Sequence, residues 1–584
     1  MPPVRQNAKK ASKPRAALVI AIDFGTTNSG VACGLTSDRV RSGQAKLEVI
    51  RGWPATRRSQ RDLQKVPTRL HYGEDGQISW GYDIPDDVKP LQWFKLLLLD
   101  KDDFPGYLRG STHLQEAQDM IRQLGKDATT VTADYLRLLW QHTLESLKKI
   151  RGKGLVESTP FHVVLTVPAV WPEIARNRMR KAAEDAGILD RRLGGVTSLK
   201  FISEPEAAAI SILYSELDDR PDLKTGTKFI VCDCGGGTVD IISYEVVKVK
   251  PEVKVKECTV GTGGLCGATF LDQAFFNHFL GIVGRLTWDK YDARRQKSIM
   301  NNGWEQLIKP GFDGTGGPWV MDVDGPVSFD NDELNRVFKS VIDQIVHLVK
   351  DQVRDISEKA TDAGGQATPQ FVILAGGFGR CAFLYEYLQK ELDDEIEILQ
   401  PQGSRPWSAI CRGAALSEIL QKSLVGPVLQ RKARQSYGWV VEAEWDPEKH
   451  IEGVDKKEFD AIRGEWIALR QIDWVIHAGD DISSNVVPLS YSLAFPMDQS
   501  GSVEYHSEVY KTQSPDPPRR LDPKDRSVQK VGELRLEFPV PVERLPIRNN
   551  GEDETYRALD YVAHGEVSGN SIDFRGSYKG QTVG

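Results

Sequence analysis

The chain has 584 residues and a mass of 65.2 kDa, room for roughly three to five domains at about 100 to 200 residues each. Its 75 Lys and Arg stand against 82 Asp and Glu, with 40% hydrophobic and 27% charged residues, a balance that suits a soluble globular protein and excludes a chain disordered throughout. The weakly negative total argues against a nucleic-acid partner, and no apolar run approaches the ~18 residues that would integrate into a membrane. Seven cysteines scattered from Cys33 to Cys411 without CxxC pairs read as reduced, mostly buried thiols in a reducing compartment, the cytoplasm.

In chain order, residues 1–16 carry Arg5, Lys9, Lys10, Lys13 and Arg15 and no acid, and are expected to form a disordered basic tail. Nuclear import is the alternative reading of that run. Ala17 to Asp23 is a continuous, β-branched apolar run, the pattern of a strand buried on both faces, and it ends in FGTTNSG. Phe161 to Val167 reads as a second buried strand. Pro172 then opens a helix with a stripe at Ala175, Met179, Ala182, Ala183 and Ala186, closed by Gly187. Phe201 and Ile202 lead through Ser203, Glu204 and Pro205 into an Ala-rich helix. Phe229 to Asp233 repeats the opening plan, followed by GGGTVD and a β-like stretch from Ile241 to Val246, so two strand, Asp, Gly-rich turn, strand units start 210 residues apart. That is the mark of a duplicated lobe. Asp330 and Glu333 form a capping box for a long helix with Leu334, Phe338, Val341, Ile345 and Leu348 on one face. Phe371 to Ala375 is another buried strand, running through Gly376 and Gly377 into a helix with Leu384, Tyr387 and Leu388.

This alternation from about 17 to 420 predicts an α/β architecture. From about 436 the pattern changes to period-2 runs: Leu489, Tyr491, Leu493 and Phe495; Leu534, Leu536, Phe538 and Val540; Ile572, Phe574 and Tyr578. A separate, mainly β module is expected there, with Ser514 to Pro523 as a surface loop.

The two Gly-rich turns carry the chemistry. Small residues let backbone N–H groups converge on an anion, Thr hydroxyls add donors, and an Asp at a strand end can hold a hard cation through water. A single GGGT turn is as readily a tight hairpin. Two such turns, each after a buried strand ending in Asp, point to phosphate and magnesium. There is no GxxxxGK[ST], and GTGGLCG misses GxGxxG because Cys266 takes the third position.

IAIDFGTTNSGVA, VLTVPAVWPEIARNRMRKAAEDAGI, FISEPEAAAI, VCDCGGGTVDI and VILAGGFGR follow the order of the actin-like ATPase superfamily, and in detail resemble the seventy-kilodalton heat-shock chaperones over roughly 17–420. The resemblance implies two ribonuclease-H-like lobes, 17–210 and 211–420, closing over ATP or ADP with Mg2+. It implies that Asp23, Asp233 and Asp240 hold the metal and its waters. Gly25, Thr26, Thr27 and Asn28 on one side and Gly235, Gly236, Gly237 and Thr238 on the other would line the β- and γ-phosphates. Glu204 would orient the attacking water and Lys95 would neutralise charge on the γ-phosphate, with Asp240 and Thr238 also in the catalytic group. Glu305 and Lys309 look like the adenosine clamp, Gly376 and Gly377 let the chain pass close to ribose and adenine, and Pro168 and Arg176 match positions that relay nucleotide state. Read alone, Glu204 is equally a helix-start charge, Lys95 a solvated lysine, and Glu305 with Lys309 a surface pair.

The chain also departs from that family. Phe378 replaces a small hydroxyl residue, Cys266 replaces a glycine, Glu305 and Lys309 are one residue further apart than usual, and Trp407 stands where an acid is common. GTP is therefore expected to serve in part. The 421–435 linker is basic at Arg431, Lys432 and Arg434 rather than acidic, and the 436–584 module, with strands turning at Gly569 and Asn570, is expected to be a reduced substrate-binding-like β module without a helical lid. The expectation is an ATP-binding, ATP-hydrolysing chaperone-like protein of the divergent lid-lacking branch, with unfolded or partly folded protein clients and co-chaperones or exchange factors as partners. A nucleotide-dependent interaction or signalling protein with negligible turnover and a small-molecule kinase remain the alternatives.

Overall fold

The computed structural model describes residues 16–37, 47–55, 62–101, 104, 111–169, 171–215, 220–250, 253–363, 368–401, 405–420, 428–482, 489–514, 516–522, 524–550, 554–568 and 571–583. The expected basic tail up to residue 15, the linker stretch 421–427 and the turn at Gly569 and Asn570 lie outside these residues.

Two six-stranded mixed sheets share one topology. In the first, Leu18–Phe24 pairs antiparallel with Asn28–Leu35 and parallel with Phe161–Val167, which pairs parallel with Ser198–Ser203. Glu48–Val49 and Lys65–Pro67 both pair with Asn28–Leu35. The second sheet repeats this: Lys228–Cys234 pairs antiparallel with Val239–Lys248 and parallel with Phe371–Ala375, which pairs parallel with Glu397–Leu399, while Lys254–Glu257 and Thr262–Gly264 pair with Val239–Lys248. The duplication expected from the two Asp-turn units is thus present at the level of whole sheets.

The uninterrupted apolar runs have a direct cause. Alternate residues of each central strand enter different cores: Leu18, Ile20 and Ile22 face one, while Val19 and Ala21 face another. In the second sheet Ile230 and Cys232 face a third core, whereas Phe229 and Val231 share the core of Val19 and Ala21. A strand with no solvent face has no polar positions. The shared core also holds two helices, Glu204–Ser215 and Arg405–Leu420, packed on each other. A Cβ at Gly413 would lie 1.7 Å from the Ala207 carbonyl oxygen, so only glycine permits this approach.

Helix signals hold in detail. Pro172 caps Glu173–Asp185, whose Ala175, Met179, Ala182 and Ala183 are buried, and Gly187 follows at φ +80°. The capping box is reciprocal: the Asp330 N–H donates to Glu333 Oε2 at 2.9 Å and the Glu333 N–H to Asp330 Oδ1 at 2.8 Å, opening the helix Asn331–Ala363.

From Ser436 to Val583 the chain is β-rich. One five-stranded sheet runs in the order Lys456–Asp460, Glu465–Ile476, Ser436–Glu444, Ser502–Thr512, Gln529–Pro541; a second contains Leu489–Phe495, Ile547–Asn549, Thr555–Ser568, Ser571–Tyr578 and Gln581–Val583. Trp439, Leu536, Phe538, Leu559 and Tyr561 fill the core between them. Among the described residues no helix is long and apolar enough to cross a membrane.

Candidate functional site

The two Gly-rich turns meet. A Cβ at Gly236 would lie 2.3 Å from Thr27 Oγ1, and one at Gly237 would lie 2.7 Å from Thr26 Oγ1. Glycine at both positions therefore answers to close approach between the hairpins. Behind the second turn, the start of the helix Ala268–Val283 donates back into it, Ala268 N–H to Gly235 O at 3.1 Å and Thr269 N–H to Gly236 O at 2.9 Å. This fixes the turn without using its own N–H groups.

Around the turns lies a cavity of about 760 Å3. Gly25, Thr26, Thr27, Asn28, Gly235, Gly236, Gly237 and Thr238 line it, as do Asp23, Glu204, Glu305, Lys309, Gly376 and Gly377. Lys95, Asp233 and Asp240 do not; they lie behind that lining. Lys95 is only 1% exposed and donates to Glu204 Oε1 at 2.6 Å, with the Trp171 and Phe24 rings flanking its ammonium. The solvated-lysine reading is thereby excluded. Burial pushes the Glu204 carboxyl above its ordinary range against the pull of Lys95.

Asp233 and Asp240 face each other across the second hairpin. Ala169 N–H donates to Asp240 Oδ1 at 2.9 Å, which ties the segment of Pro168 to this carboxylate. Burial and the Glu204 charge push Asp240 up to about 7, and burial with Glu204, Asp240 and Asp23 raises Asp233 well above its ordinary value. Asp233 Oδ1 and Asp240 Oδ2 are buried without a hydrogen-bond partner, and such orphaned oxygens fit a site meant for a cation. Among the described residues no three His, Cys, Asp or Glu converge closely enough to hold a metal by themselves, so a Mg2+ ion here would keep several of its waters.

Gly376 closes this end of the strand at φ +77°, and a Cβ there would lie 2.4 Å from Cys234 O and 2.5 Å from Asp233 Oδ1. Phe378 is 4% exposed and packs into the core behind the second sheet, and both it and Trp407, which stands beside Gly377, line the cavity.

The extra residue between Glu305 and Lys309 is accommodated by a π-helical segment, Met300–Ile308. Its wider turn keeps both side chains on one face. Lys309 Nζ sits 3.2 Å from Glu305 Oε1 and 2.6 Å from Asp272 Oδ1. Burial opposes the Lys309 charge, but Asp272 and Glu305 outweigh it and raise its pKa.

Several cavity residues escaped sequence reasoning, Arg380 and Lys65 among them. Arg380 lies within the VILAGGFGR motif itself. Lys65 belongs to no motif, yet donates to Asp23 Oδ2 at 2.6 Å.

At the far side of the same elements, the end of the linker is docked. Leu429 N–H donates to Val255 O at 2.8 Å and Glu257 N–H to Gln430 O at 3.0 Å, extending the edge strand Lys254–Glu257. Arg431 then grips Glu206 through Nε and Nη2, at 3.1 and 2.5 Å, and Arg434 Nη2 meets Glu257 at 3.1 Å. Arg176 shares a cavity of about 440 Å3 with these arginines. Glu206 lies one turn-position pair from Glu204 on the same helix, so one helical turn touches both the main cavity and the linker.

The sequence model of the Hsp70 protein family matches residues 136–307, and that of a domain of unknown function, DUF8568, matches 431–512. Heat shock 70 kDa protein 12B of Homo sapiens is 28% identical over 322 residues, 46% of this chain and 45% of that protein. Heat shock 70 kDa protein 12A of Mus musculus is 24% identical over 475 residues, 66% and 67% of the two chains. A chaperone protein HscA homolog of Chromobacterium violaceum is 25% identical over 413 residues, 68% and 58%. The chain thus spans 45% to 67% of the length of these relatives. With the five motifs in order, two hairpins of one design meeting at a cavity, and these relatives, the chain resembles the Hsp70 family, whose model matches it over residues 136–307.

Proposed function

We propose that the chain is an ATP-binding and ATP-hydrolysing chaperone-like protein, with lobes 17–210 and 211–420 closing on ATP or ADP with magnesium. Its 421–435 segment passes the nucleotide state to the 436–584 module, which binds unfolded or partly folded protein clients, with co-chaperones or exchange factors acting on the cycle in the cytoplasm. The reading is carried by the meeting of the two hairpin turns on one cavity that Asp23, Glu204 and Lys309 also line. The chaperone name of the HscA relative supports it.

In this reading the turn N–H groups and the hydroxyls of Thr26, Thr27 and Thr238 donate to phosphate oxygens. Glu305 and Lys309 hold the nucleoside, and Gly376 and Gly377 let the backbone approach it. Glu204, fixed by Lys95, accepts a hydrogen bond from the attacking water and orients it, while the Lys95 ammonium offsets charge gathering on the transferred phosphoryl group. Asp23, Asp233 and Asp240 would hold the magnesium through water, and that ion would supply positive charge to the polyphosphate. In the β module a cavity of about 410 Å3, bordered by Leu469, Tyr491, Leu493, Tyr505 and Tyr561 and also by Arg463, Arg470 and Glu508, offers a peptide both an apolar wall and charged groups.

A second reading, nucleotide-dependent interaction with negligible turnover, is favoured by the position of Lys95, Asp233 and Asp240 behind the cavity lining. Phosphate release by the purified chain, alone and with an unfolded client, separates the two. Turnover that rises with client supports the first; nucleotide binding with no released phosphate supports the second.

A further inference from the structure

The duplicated sheets allow a residue-by-residue comparison of what stands beside each strand-end Asp. In the first sheet three neighbouring strands place Asp23, Gly30 and Lys65 in one row. In the second the equivalent strands place Asp233, Asp240 and Gly263 in one row. The same architecture thus carries acid, glycine, lysine on one side and acid, acid, glycine on the other.

The glycine in the first row makes room for the lysine. A Cβ at Gly30 would lie 3.0 Å from Lys65 Cγ, so the stem crosses Gly30 to bring Nζ within 2.6 Å of Asp23 Oδ2. Both side chains are buried, 7% and 2% exposed, yet both line the main cavity. An ammonium has three donors, of which one goes to Asp23, and Lys65 lines the same cavity as Thr26, Thr27 and the second turn. The first row is therefore neutral before any ligand arrives, while the second keeps two carboxylates with orphaned oxygens.

We propose that Lys65 is a phosphate-binding residue that gives the first hairpin its own fixed cation, so that the chain holds a nucleoside diphosphate without divalent metal and leaves the demand for metal to the Asp233 and Asp240 row. This rests on the nucleotide reading of the cavity. Asp23 then acts chiefly as the positioning residue for this ammonium, and the magnesium of the nucleotide reading would be held through water mainly by Asp233 and Asp240.

The test is calorimetric binding of ADP and of adenosine to the full chain, in Mg2+ and in EDTA, for the parent, Lys65→Met, and the double variant Asp23→Asn with Lys65→Met. The double variant removes both charges and leaves no lone buried carboxylate, so it remains informative if Lys65→Met does not fold by circular dichroism. The parent is expected to bind ADP in EDTA within about tenfold of its affinity in Mg2+. Both variants should lose about tenfold or more for ADP in EDTA, the scale of one charge-assisted contact, while adenosine binding stays within about twofold. Parent and variant affinities that agree in EDTA, an equal loss for adenosine, or a parent that binds ADP only with Mg2+ would each overturn the role of Lys65 and leave the nucleotide site standing. A parent that binds ADP under neither condition would overturn both.

Discussion

Arg431→Ala probes the grip of the linker on the Glu204 helix. Glu206 is 3% exposed, and its carboxylate accepts from both Nε and Nη2 of Arg431. Removing one partner of a fully buried pair costs about 3–5 kcal/mol, because a lone charge is left inside. Arg431 itself is 25% exposed at its side chain, so water can enter the vacated space and the expected cost falls to about 2–3 kcal/mol. Lys432→Ala is the control, since Lys432 pairs with Asp481, which is 54% exposed, and such bridges contribute at most about 1 kcal/mol. Because a chain of several domains does not unfold in one step, the readout is hydrogen exchange at the two docking amides, Leu429 and Glu257. A local opening made easier by 2–3 kcal/mol raises exchange there by about 30- to 150-fold. Glu206→Gln added to Arg431→Ala should recover much of the protection by removing the stranded charge. If Arg431→Ala exchanges no faster than Lys432→Ala, the pair does not hold the linker and the reasoning fails.

Gly376→Ala forces an L-residue to φ +77° and a methyl group into Cys234 O and Asp233 Oδ1; a loss of about 2–5 kcal/mol is expected, seen as a lower melting temperature and weaker nucleotide binding, and a parent-like melt would contradict it. Glu204→Gln keeps the hydrogen bond from Lys95 but removes the charge that orients water, so phosphate release should fall by about 10²-fold or more with ADP affinity little changed. Equal turnover would reduce Glu204 to a helix-start residue. The seven cysteines are free, and burial raises Cys33, Cys258, Cys266 and Cys411 to about 12 and Cys381 to about 11. These thiols therefore stay protonated at pH 8, and a thiol reagent should label the native chain at fewer than about one site within minutes. Rapid labelling of several sites would show that the cores are open.

What the sequence made legible were features whose cause is local. The runs at Ala17 to Asp23 and Phe229 to Asp233 are apolar at every position because both faces of each strand are covered, and Asp330 with Glu333 closes its cap within one turn. The residues that stayed hidden depend on distant partners. Lys65 meets Asp23 across 42 residues of chain, and Arg431 meets Glu206 across 225; neither pairing leaves a mark in spacing or composition. The Glu305 and Lys309 offset is one residue longer than the family pattern, and the π-helical segment Met300–Ile308 that carries it is not visible in spacing alone. Phe378, which replaces a small hydroxyl residue, sits in the 3-10 turn Phe378–Arg380, packed into the core and at the same time lining the cavity. The basic character of the linker is plain in the sequence, but the acids that receive it, Glu206 and Glu257, belong to elements formed far earlier in the chain.

The central claim is that the two hairpins form one nucleotide site, and melting of the full chain with and without Mg-ADP tests it most directly. With ligand at about 100 times its Kd the transition of the two-sheet region should gain about 2.7 kcal/mol, and Gly236→Val, which drives a side chain into Thr27, should abolish that gain. A melt of nucleotide-free protein that does not move with saturating Mg-ADP, or a gain that survives Gly236→Val, would contradict the account.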